Sequence, residues 1–182
     1  MKYFVTATGT DIGKTYICKL LCKQNNWQMA KPVASGGGEM GIVSPWCFSA
    51  NLAPDMAAKA QGKTIDFNEV VKYCQQQPAQ LIEGAGGIMS PIATGKLNLD
   101  LAHALNIPVL LVCASYLGSI SHTLTALNAL KGLKITVIVN NAQPSHITPT
   151  QTAQAIAEFS GYTPIVVEQN QQILGSQQAL FL

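Results

Sequence analysis

Charged side chains are scarce in this 182-residue chain, where Asp, Glu, Lys and Arg together make up 11% of the residues. A typical soluble domain carries about a quarter. The formal net charge is only +2 at pH 7, and no cluster of basic residues occurs along the chain. These features argue against a nucleic-acid partner, which would need a concentrated positive surface.

Long apolar runs are missing as well, although hydrophobic residues make up 48% of the chain. No uninterrupted run approaches the ~20 residues that a membrane-spanning helix needs. The N-terminus leads into a strand pattern without a charged leader and an apolar signal core. We therefore expect a cytoplasmic protein with no membrane partner and, at this length, a single domain over residues 1–182.

The cysteine pattern lacks the spacings of a metal site. Cys18, Cys22, Cys47, Cys74 and Cys113 form no C-x-x-C pair and have no histidine at a companion spacing. Neither zinc nor a disulfide framework is indicated, and buried free thiols are the favoured interpretation. The chain also shows no Ser/His/Asp or Cys/His signature of covalent catalysis.

Strand patterns alternate with helical patterns along the chain. This alternation predicts an α/β fold, a doubly wound and mostly parallel sheet with helices on both faces. The predicted strands are Tyr3–Thr6, Met29–Val33, Ala79–Glu83, Pro108–Cys113, Lys134–Val139 and Pro164–Val167. The predicted helices cover residues 14–25, 66–77, 98–106, 119–131 and 149–160.

Two segments interrupt the alternation. Residues 36–66 contain a triple glycine, two prolines and an isolated Trp46, which predicts a long loop with one short helix near Ala53–Gln61. Loops of that length in a compact domain are usually functional or mobile. The glutamine-rich tail after Glu168 ends in four apolar residues, 179–182; this end is either docked on the domain or an oligomer contact.

A glycine-rich stretch with a lysine and a threonine joins the first strand to the first helix. It reads Gly9-Thr10-Asp11-Ile12-Gly13-Lys14-Thr15. Such a loop offers backbone N–H groups and a helix N-terminus to phosphates, a lysine to their charge and a hydroxyl to Mg²⁺. The pattern G-x-x-x-x-G-K-[ST] is met only in its second half, because Thr8 stands at the first glycine position. The alternative is an ordinary helix N-terminus with a solvated lysine.

Chemistry-bearing residues also follow three other strands. Lys31-Pro32-Val33-Ala34-Ser35-Gly36 follows the second, Glu83-Gly84-Ala85-Gly86-Gly87 the third, and Asn140-Asn141 the fifth. Because ligands of open α/β sheets bind outside the carboxyl ends of the strands, we expect these segments to converge. Glu83 is then a candidate Mg²⁺ ligand, the alternative being a solvated strand-end glutamate. Lys31 is either a positioned cation or a surface lysine.

Four motifs together resemble those of dethiobiotin synthetases: the Gly13-Lys14-Thr15 loop, Lys31-Pro32-Val33-Ala34-Ser35-Gly36, Glu83-Gly84-Ala85-Gly86-Gly87 and Leu117-Gly118-Ser119-Ile120-Ser121-His122. That family consists of ATP-dependent carboxylases that close the ureido ring in biotin synthesis. The resemblance runs from Met1 to about Asn141. It implies a P-loop NTPase-like fold, a cyclo-ligase that uses ATP and Mg²⁺, the substrates 7,8-diaminopelargonate and CO₂, and a homodimer.

The resemblance also implies roles for individual residues. Lys14, Lys31 and Thr10 would be catalytic, and Thr10 and Ser35 would contact the diamino acid. Gly118 and Ser121 would lie near the dimer interface, where the family binds the carboxylate tail of the substrate across subunits. Thr15 and Glu83 would bind Mg²⁺, and Asn140 would recognise the adenine edge. The implied nucleotide-binding set is Asp11, Ile12, Gly13, Lys14, Thr15, Tyr16, Glu83, Gly84, Ala85, Gly86, Asn140 and Asn141.

The chain departs from the family after Ser35. The family carries a helix there with a second Mg²⁺-binding aspartate, whereas this chain runs from Gly36 almost directly into Ile42–Pro45. Asp11 or Glu39 could take its place, or the site could bind metal with fewer carboxylates. Two other interpretations stay open: a nucleotide-binding module that has lost catalysis, and a partitioning-type ATPase switch. The latter normally carries an extra lysine where this chain has Gly9.

Overall fold

A computed structural model of the chain describes residues 1–38, 41–141 and 145–167. Glu39 and the apolar end at 179–182 lie outside these ranges, so the expectations that involve them are not tested by the structure. The single domain over 1–182 likewise stays a prediction.

The described residues form ten strands and six helices. In chain order they are β1 (Tyr3–Ala7), α1 (Lys14–Asn25), β2 (Met29–Ala30), β3 (Val33–Ala34), β4 (Trp46–Cys47), α2 (Pro54–Ala60), α3 (Phe67–Gln76), β5 (Leu81–Glu83), β6 (Pro91–Ala93), β7 (Lys96–Leu97), α4 (Asn98–Leu105), β8 (Val109–Ala114), α5 (Ser119–Ala129), β9 (Ile135–Asn140), α6 (Pro149–Ser160) and β10 (Ile165–Val167).

Six of these strands form one parallel sheet in the order β10-β9-β8-β1-β5-β2. The first strand is therefore central, and Val5 lies opposite both Glu83 on β5 and Leu110 on β8. The earlier strands β2 and β5 lie on one side of β1, and the later strands β8, β9 and β10 lie on the other. Such a reversal places a crevice at the carboxyl end of the central strand.

Helices cover both faces of this sheet, which confirms the predicted fold class. Successive side chains of a strand point to opposite faces, so Phe4 packs in the core that contains residues of α3, α4, α5 and α6. Val5 packs in a second core with Ile17 and Leu21 of α1. No helix of the described residues is long and apolar enough to cross a membrane.

The cysteines are free thiols, three of them buried. Cys18, Cys74 and Cys113 lie in the two cores, as expected, and burial raises the pKa of the Cys113 thiol to about 12. Cys22 is half-buried. Cys47 is exposed, so the expectation of a buried thiol is wrong at that position.

The prediction of one strand over Met29–Val33 is wrong, because the chain leaves the main sheet at Lys31. β2 pairs with β5, whereas β3 pairs with β4 in a separate two-stranded sheet. Pro32 has no N–H to donate to a sheet ladder; its carbonyl instead accepts from the Trp46 N–H at 3.2 Å. Lys31 therefore lies between the end of β2 in the main sheet and the start of β3 in the two-stranded sheet.

Residues 36–66 contain the expected short helix, α2, together with the unpredicted strand β4. A second unpredicted feature is the antiparallel β6–β7 hairpin. Asp55 of α2 holds this hairpin, because its carboxylate accepts a hydrogen bond from the Thr94 hydroxyl at 3.0 Å. The short helix thus packs against the segment that follows the β5 loop.

Candidate nucleotide-binding site

The loop after β1 has the geometry of a phosphate-binding turn. Gly13 precedes α1 with φ of 93°, a left-handed conformation that favours glycine, and no side chain caps the helix. The first N–H groups of α1 therefore remain available to an anion, which the helix dipole also favours. Asn140 of β9 supports the loop from beneath, since its side-chain amide donates to the Ile12 carbonyl at 3.0 Å.

A fully buried carboxylate lies under this loop. Glu83 at the end of β5 is 0% exposed, and its Oε1 accepts from the Thr15 hydroxyl at 2.7 Å. The same oxygen lies 3.0 Å from the Lys31 ammonium. Its Oε2 is buried and has no hydrogen-bond partner within the described chain. Glu83 is therefore the point at which the three predicted motifs meet.

Lys14 adds a second ammonium to this cluster. The residue is only 7% exposed, and burial lowers the pKa of its ammonium, against the attraction of Glu83 and with a further contribution from Lys31. Lys14 and Lys31 thus bring two positive charges to the cleft, and Glu83 and the exposed Asp11 bring two negative ones. Because the chain contains no arginine, lysine must supply any cationic contact to phosphate.

These groups line a cleft of 470 Å³. Ser35 reaches it from the segment after β3. Asn51, which no sequence motif indicated, reaches it from the long loop. Among the predicted site residues, the lining comprises Thr10, Asp11, Gly13, Lys14, Thr15, Tyr16, Lys31, Ser35, Glu83, Ala85 and Gly86.

The other predicted residues lie away from the cleft wall. Ile12 is buried in the α1 core, and Gly84 is pressed between Phe4 and Asn98, where an added Cβ would lie 2.9 Å and 2.8 Å from their atoms. Asn140 is buried beneath the loop, and the Asn141 N–H donates to the Val167 carbonyl at 3.1 Å. Their contacts to nucleotide stay predictions.

Gly118 and Ser121 lie at the start of α5. Gly118 has φ of 98° at the helix N-cap, and Ser121 is exposed. Neither residue lines the cleft of this chain. Their expected role at the active site of a partner subunit stays a prediction.

The donor set under the loop suits Mg²⁺. That ion prefers oxygen ligands and usually keeps several waters and phosphate oxygens, and Thr15 and Glu83 offer a hydroxyl and a carboxylate with an unpartnered buried oxygen. No group of three or more His, Cys, Asp or Glu side chains that could hold a metal occurs in the described ranges. Asp11 is exposed on the cleft wall, at φ of 59°.

A parallel sheet with a phosphate loop after its central strand defines a nucleotide-binding protein of the P-loop class. A family model described as AAA domain matches residues 1–175. The chain is also similar to the crystal structure of the signal recognition particle receptor FtsY from Elizabethkingia anophelis, with a TM-score of 0.56 over 94% of this chain and 60% of that one. At 11% identity this likeness shows the fold alone.

Sequence relatives identify the family within this class. An ATP-dependent dethiobiotin synthetase BioD from Caulobacter sp. (strain K31) is 37% identical over 89% of this chain and 85% of that protein. The BioD protein of Methylobacterium nodulans is 34% identical over 90% and 91%, and that of Caulobacter vibrioides is 40% identical over 75% and 77%. The chain belongs to the ATP-dependent dethiobiotin synthetase family.

Proposed function

We propose that this protein is a ligase that uses ATP to carboxylate 7,8-diaminopelargonate with CO₂ and to close the ureido ring of dethiobiotin. The observation that carries this proposal is the buried Glu83 carboxylate, which is shared by Thr15 of the phosphate loop and Lys31 of the Lys-Pro-Val-Ala-Ser-Gly segment. One charged cluster therefore joins the loop that would hold the nucleotide to the segment that would hold the diamine.

The reaction divides into three balanced steps. One substrate amine adds to CO₂ and loses a proton to give a carbamate. A carbamate oxygen then takes the γ-phosphoryl group of ATP, which releases ADP and forms a mixed anhydride. The second amine attacks the carbonyl carbon of this anhydride and loses a proton as the ring closes, and phosphate leaves with the electron pair of the single bond that joined its oxygen to that carbon. No step requires a covalent intermediate with the protein.

The two lysines match the charge that develops in the second step. Phosphoryl transfer depends on positioning and on charge stabilisation. Lys14, at the N-terminus of α1, binds the phosphates of the nucleotide. Lys31, which pairs with Glu83, contacts the phosphoryl group as it is transferred to the carbamate. Thr10 lies beside Gly86 on the opposite wall, its hydroxyl 3.6 Å from the position of an added Gly86 Cβ. Thr10 and Ser35 orient the diamine.

Thr15 and Glu83 would hold Mg²⁺, with Asp11 as a possible further ligand on the loop. The ion would neutralise phosphate charge and fix the geometry of the triphosphate. With Mg²⁺ held by Glu83, the Lys31 ammonium would be available to the anionic substrate. The same proposal has the protein act as a cytoplasmic homodimer, with Asn140 at the adenine edge, Asn141 in the nucleotide site, and Gly118 and Ser121 serving the neighbouring subunit.

An assay of dethiobiotin formation tests the proposal. Purified protein is incubated with 7,8-diaminopelargonate, bicarbonate as the source of CO₂, ATP and Mg²⁺, and the products are identified by mass spectrometry. We expect dethiobiotin and ADP in equal amounts, and none when any one component is omitted. ATP binding without product would instead support a module that has lost catalysis. Hydrolysis of ATP that does not depend on the diamine would support an ATPase switch.

A further inference from the structure

Asn98 is a buried polar residue beneath the Glu83–Gly87 loop that no sequence motif pointed to. It is the first residue of α4 and is 0% exposed. Its side-chain amide nitrogen donates to two carbonyls of the loop, Ala85 O and, at 2.8 Å, Gly87 O. Buried amides are costly unless they are hydrogen-bonded. The Asn98 nitrogen makes two short contacts to one loop, whereas its Oδ1 is buried without a partner in the described chain.

The neighbouring residues leave space for this amide and hydrogen-bond to its residue. Gly84 leaves room for it, since a Cβ at Gly84 would lie 2.8 Å from the Asn98 side-chain oxygen. The Asn98 N–H donates to the Ser90 carbonyl at 3.1 Å, which ties α4 to the end of the same loop. The Ser90 hydroxyl accepts from the Gly87 N–H at 2.8 Å. Asn98 is thus part of a hydrogen-bond network that holds residues 84–90.

The hydrogen bonds to Asn98 fix the orientation of two peptide units of the loop. In a trans peptide the C=O and the next N–H point in opposite directions. The Gly87 carbonyl is held by Asn98, and the Ile88 N–H accordingly points the other way, to the Ala7 carbonyl at 2.8 Å. By the same geometry, the Ala85 carbonyl points towards Asn98 at the start of α4. The Gly86 N–H therefore points in the opposite direction, away from α4.

The Gly86 N–H has no acceptor within the described chain, and both Ala85 and Gly86 line the cleft. We propose that Asn98 is a positioning residue, which fixes the Ala85–Gly86 peptide so that the Gly86 N–H donates to an anionic oxygen in the cleft. That oxygen belongs to a nucleotide phosphate or to the carbamate of the substrate. The inference rests on the proposed function of the cleft and adds a residue outside it.

The test compares Asn98→Leu with Leu101→Ala. Leucine is close to asparagine in shape but has no donor, so Asn98→Leu frees the Ala85 peptide. Leu101 is a buried residue of the same helix, 1% exposed, and its apolar side chain makes no hydrogen bond to the loop. Leu101→Ala therefore lowers stability without removing a loop hydrogen bond. If Asn98→Leu does not fold, Asn98→Ser replaces it, because one hydroxyl can hold only one of the two carbonyls.

Two measurements that need no turnover are made on folded protein. Calorimetry gives the affinity for a non-hydrolysable ATP analogue and, separately, for the diamine with bicarbonate. Nitrogen-15 spectra follow the Gly86 amide as each ligand is added. In the wild type we expect the Gly86 amide proton to move strongly with one of the two ligands. In Asn98→Leu that shift should be lost and the affinity for that ligand should fall about tenfold or more.

Leu101→Ala should keep both the shift and the affinity at a temperature where it is folded. The inference is overturned if Asn98→Leu keeps the wild-type affinity and shift, or if Leu101→Ala loses them to the same extent. A Gly86 amide that moves with neither ligand in the wild type also overturns it. Failure of the proposed function is a separate result, because it appears as absence of dethiobiotin from the wild type whatever the Gly86 amide does.

Discussion

The Lys31 ammonium lies 3.0 Å from Oε1 of Glu83, in a part of the molecule where the carboxylate is wholly buried and the lysine side chain is 15% exposed. The Thr15 hydroxyl donates to the same oxygen. Both contacts are to Oε1, and Oε2 has no hydrogen-bond partner within the described chain. Under the proposed function, the Lys31 ammonium and a Mg²⁺ ion on Glu83 would compete for the charge of one carboxylate, and the first and third predictions rest on this relationship.

The first prediction is that Lys31→Met destabilises the metal-free protein and that Mg²⁺ restores part of the loss. Lys31→Met removes one cation from the buried Glu83 carboxylate, and breaking a buried pair typically costs about 3–5 kcal/mol. Because Lys14 also attracts Glu83, we expect a loss towards the lower end of that range. For a chain of this size, each kcal/mol lowers Tm by roughly 2–4 °C. Differential scanning fluorimetry with and without MgCl₂ measures both effects, and the rise in Tm on adding Mg²⁺ should be larger in Lys31→Met than in the wild type.

Lys72→Met is the matched control for that experiment. Lys72 lies 3.9 Å from Glu69 in an exposed pair, with both side chains about 60% accessible. Exposed pairs contribute about 1 kcal/mol at most, so its Tm should stay near that of the wild type. Equal Tm values for Lys31→Met and Lys72→Met would contradict the role given to Lys31.

The second prediction concerns the pH dependence that Lys14 confers. Because burial lowers the pKa of this lysine in the folded protein, the unfolded chain binds the proton more tightly. The charged side chain therefore costs stability at neutral pH, and this cost disappears as pH rises from the lowered pKa towards the ordinary value of 10.5. Lys14→Met should be more stable than the wild type near neutral pH, and the difference should shrink at about pH 10.

Urea unfolding at the two pH values measures this difference. Lys131→Met, which changes an exposed lysine, serves as the control and should show no comparable stabilisation at neutral pH. The same Lys14→Met protein should lose the stabilisation that ATP gives the wild type, because the phosphates lose their nearest cation. A Lys14→Met variant that is less stable than the wild type at neutral pH would show that the attraction of Glu83 outweighs the burial of the charge.

The third prediction addresses the metal. Glu83→Gln keeps the shape of the side chain but removes its charge, so we expect a higher Mg²⁺ concentration for half-maximal activity and a kcat lower by orders of magnitude. Steady-state kinetics over a range of Mg²⁺ concentrations measures both. Asp11→Asn asks whether the loop aspartate replaces the aspartate that the family carries elsewhere: if it does, the variant shows the same Mg²⁺-dependent defect.

Asp66→Asn is the control variant, because it removes a carboxylate that has no proposed role in metal binding. Asp66 caps α3 through the Asn68 and Glu69 N–H groups, and asparagine is an equally good cap. This variant should keep the wild-type Mg²⁺ dependence. The metal assignment is wrong if Glu83→Gln behaves in the same way.

The fourth prediction is a dimer whose interface includes the turn at 117–122. Leu117 is 91% exposed at this turn, and a large apolar side chain so exposed suits a contact surface. Sedimentation velocity at micromolar concentration should show a dimer for the wild type and a monomer for Leu117→Asp. Phe159→Asp changes another exposed apolar residue, 70% accessible on α6, and should remain dimeric. The reverse pattern would place the interface on α6.

Elements with strong local signals were predictable from the sequence. Helix α6 begins and ends as expected, because Thr148 caps it, Pro149 fits its first turn and Gly161 ends it in a left-handed conformation. The central strand, its loop and α1 followed from a single contiguous motif. Parallel strands then bring Lys31 and Glu83 to the same edge of the sheet wherever the rest of the chain lies.

Features that depend on tertiary contacts were not predictable. The short strands β3 and β4 form where the chain leaves the main sheet and the Pro32 carbonyl accepts from the Trp46 N–H, and two-residue strands have no periodicity to detect. Asn98 and Asn51 are single polar residues outside any motif. The complete burial of Glu83 and the lowered pKa of Lys14 arise from the packing of α1 against β5, which no local pattern encodes.

The parallel pairing of β3 with β4 has a consequence for engineering. Parallel neighbours need a connection of about a dozen residues, and here only residues 35–45 join Ala34 to Trp46. A deletion in this stretch would pull the pair apart, whereas a longer connection adds little entropic cost. Val43, which is 87% exposed, is therefore a suitable point at which to graft a tag or a sensor peptide into the chain.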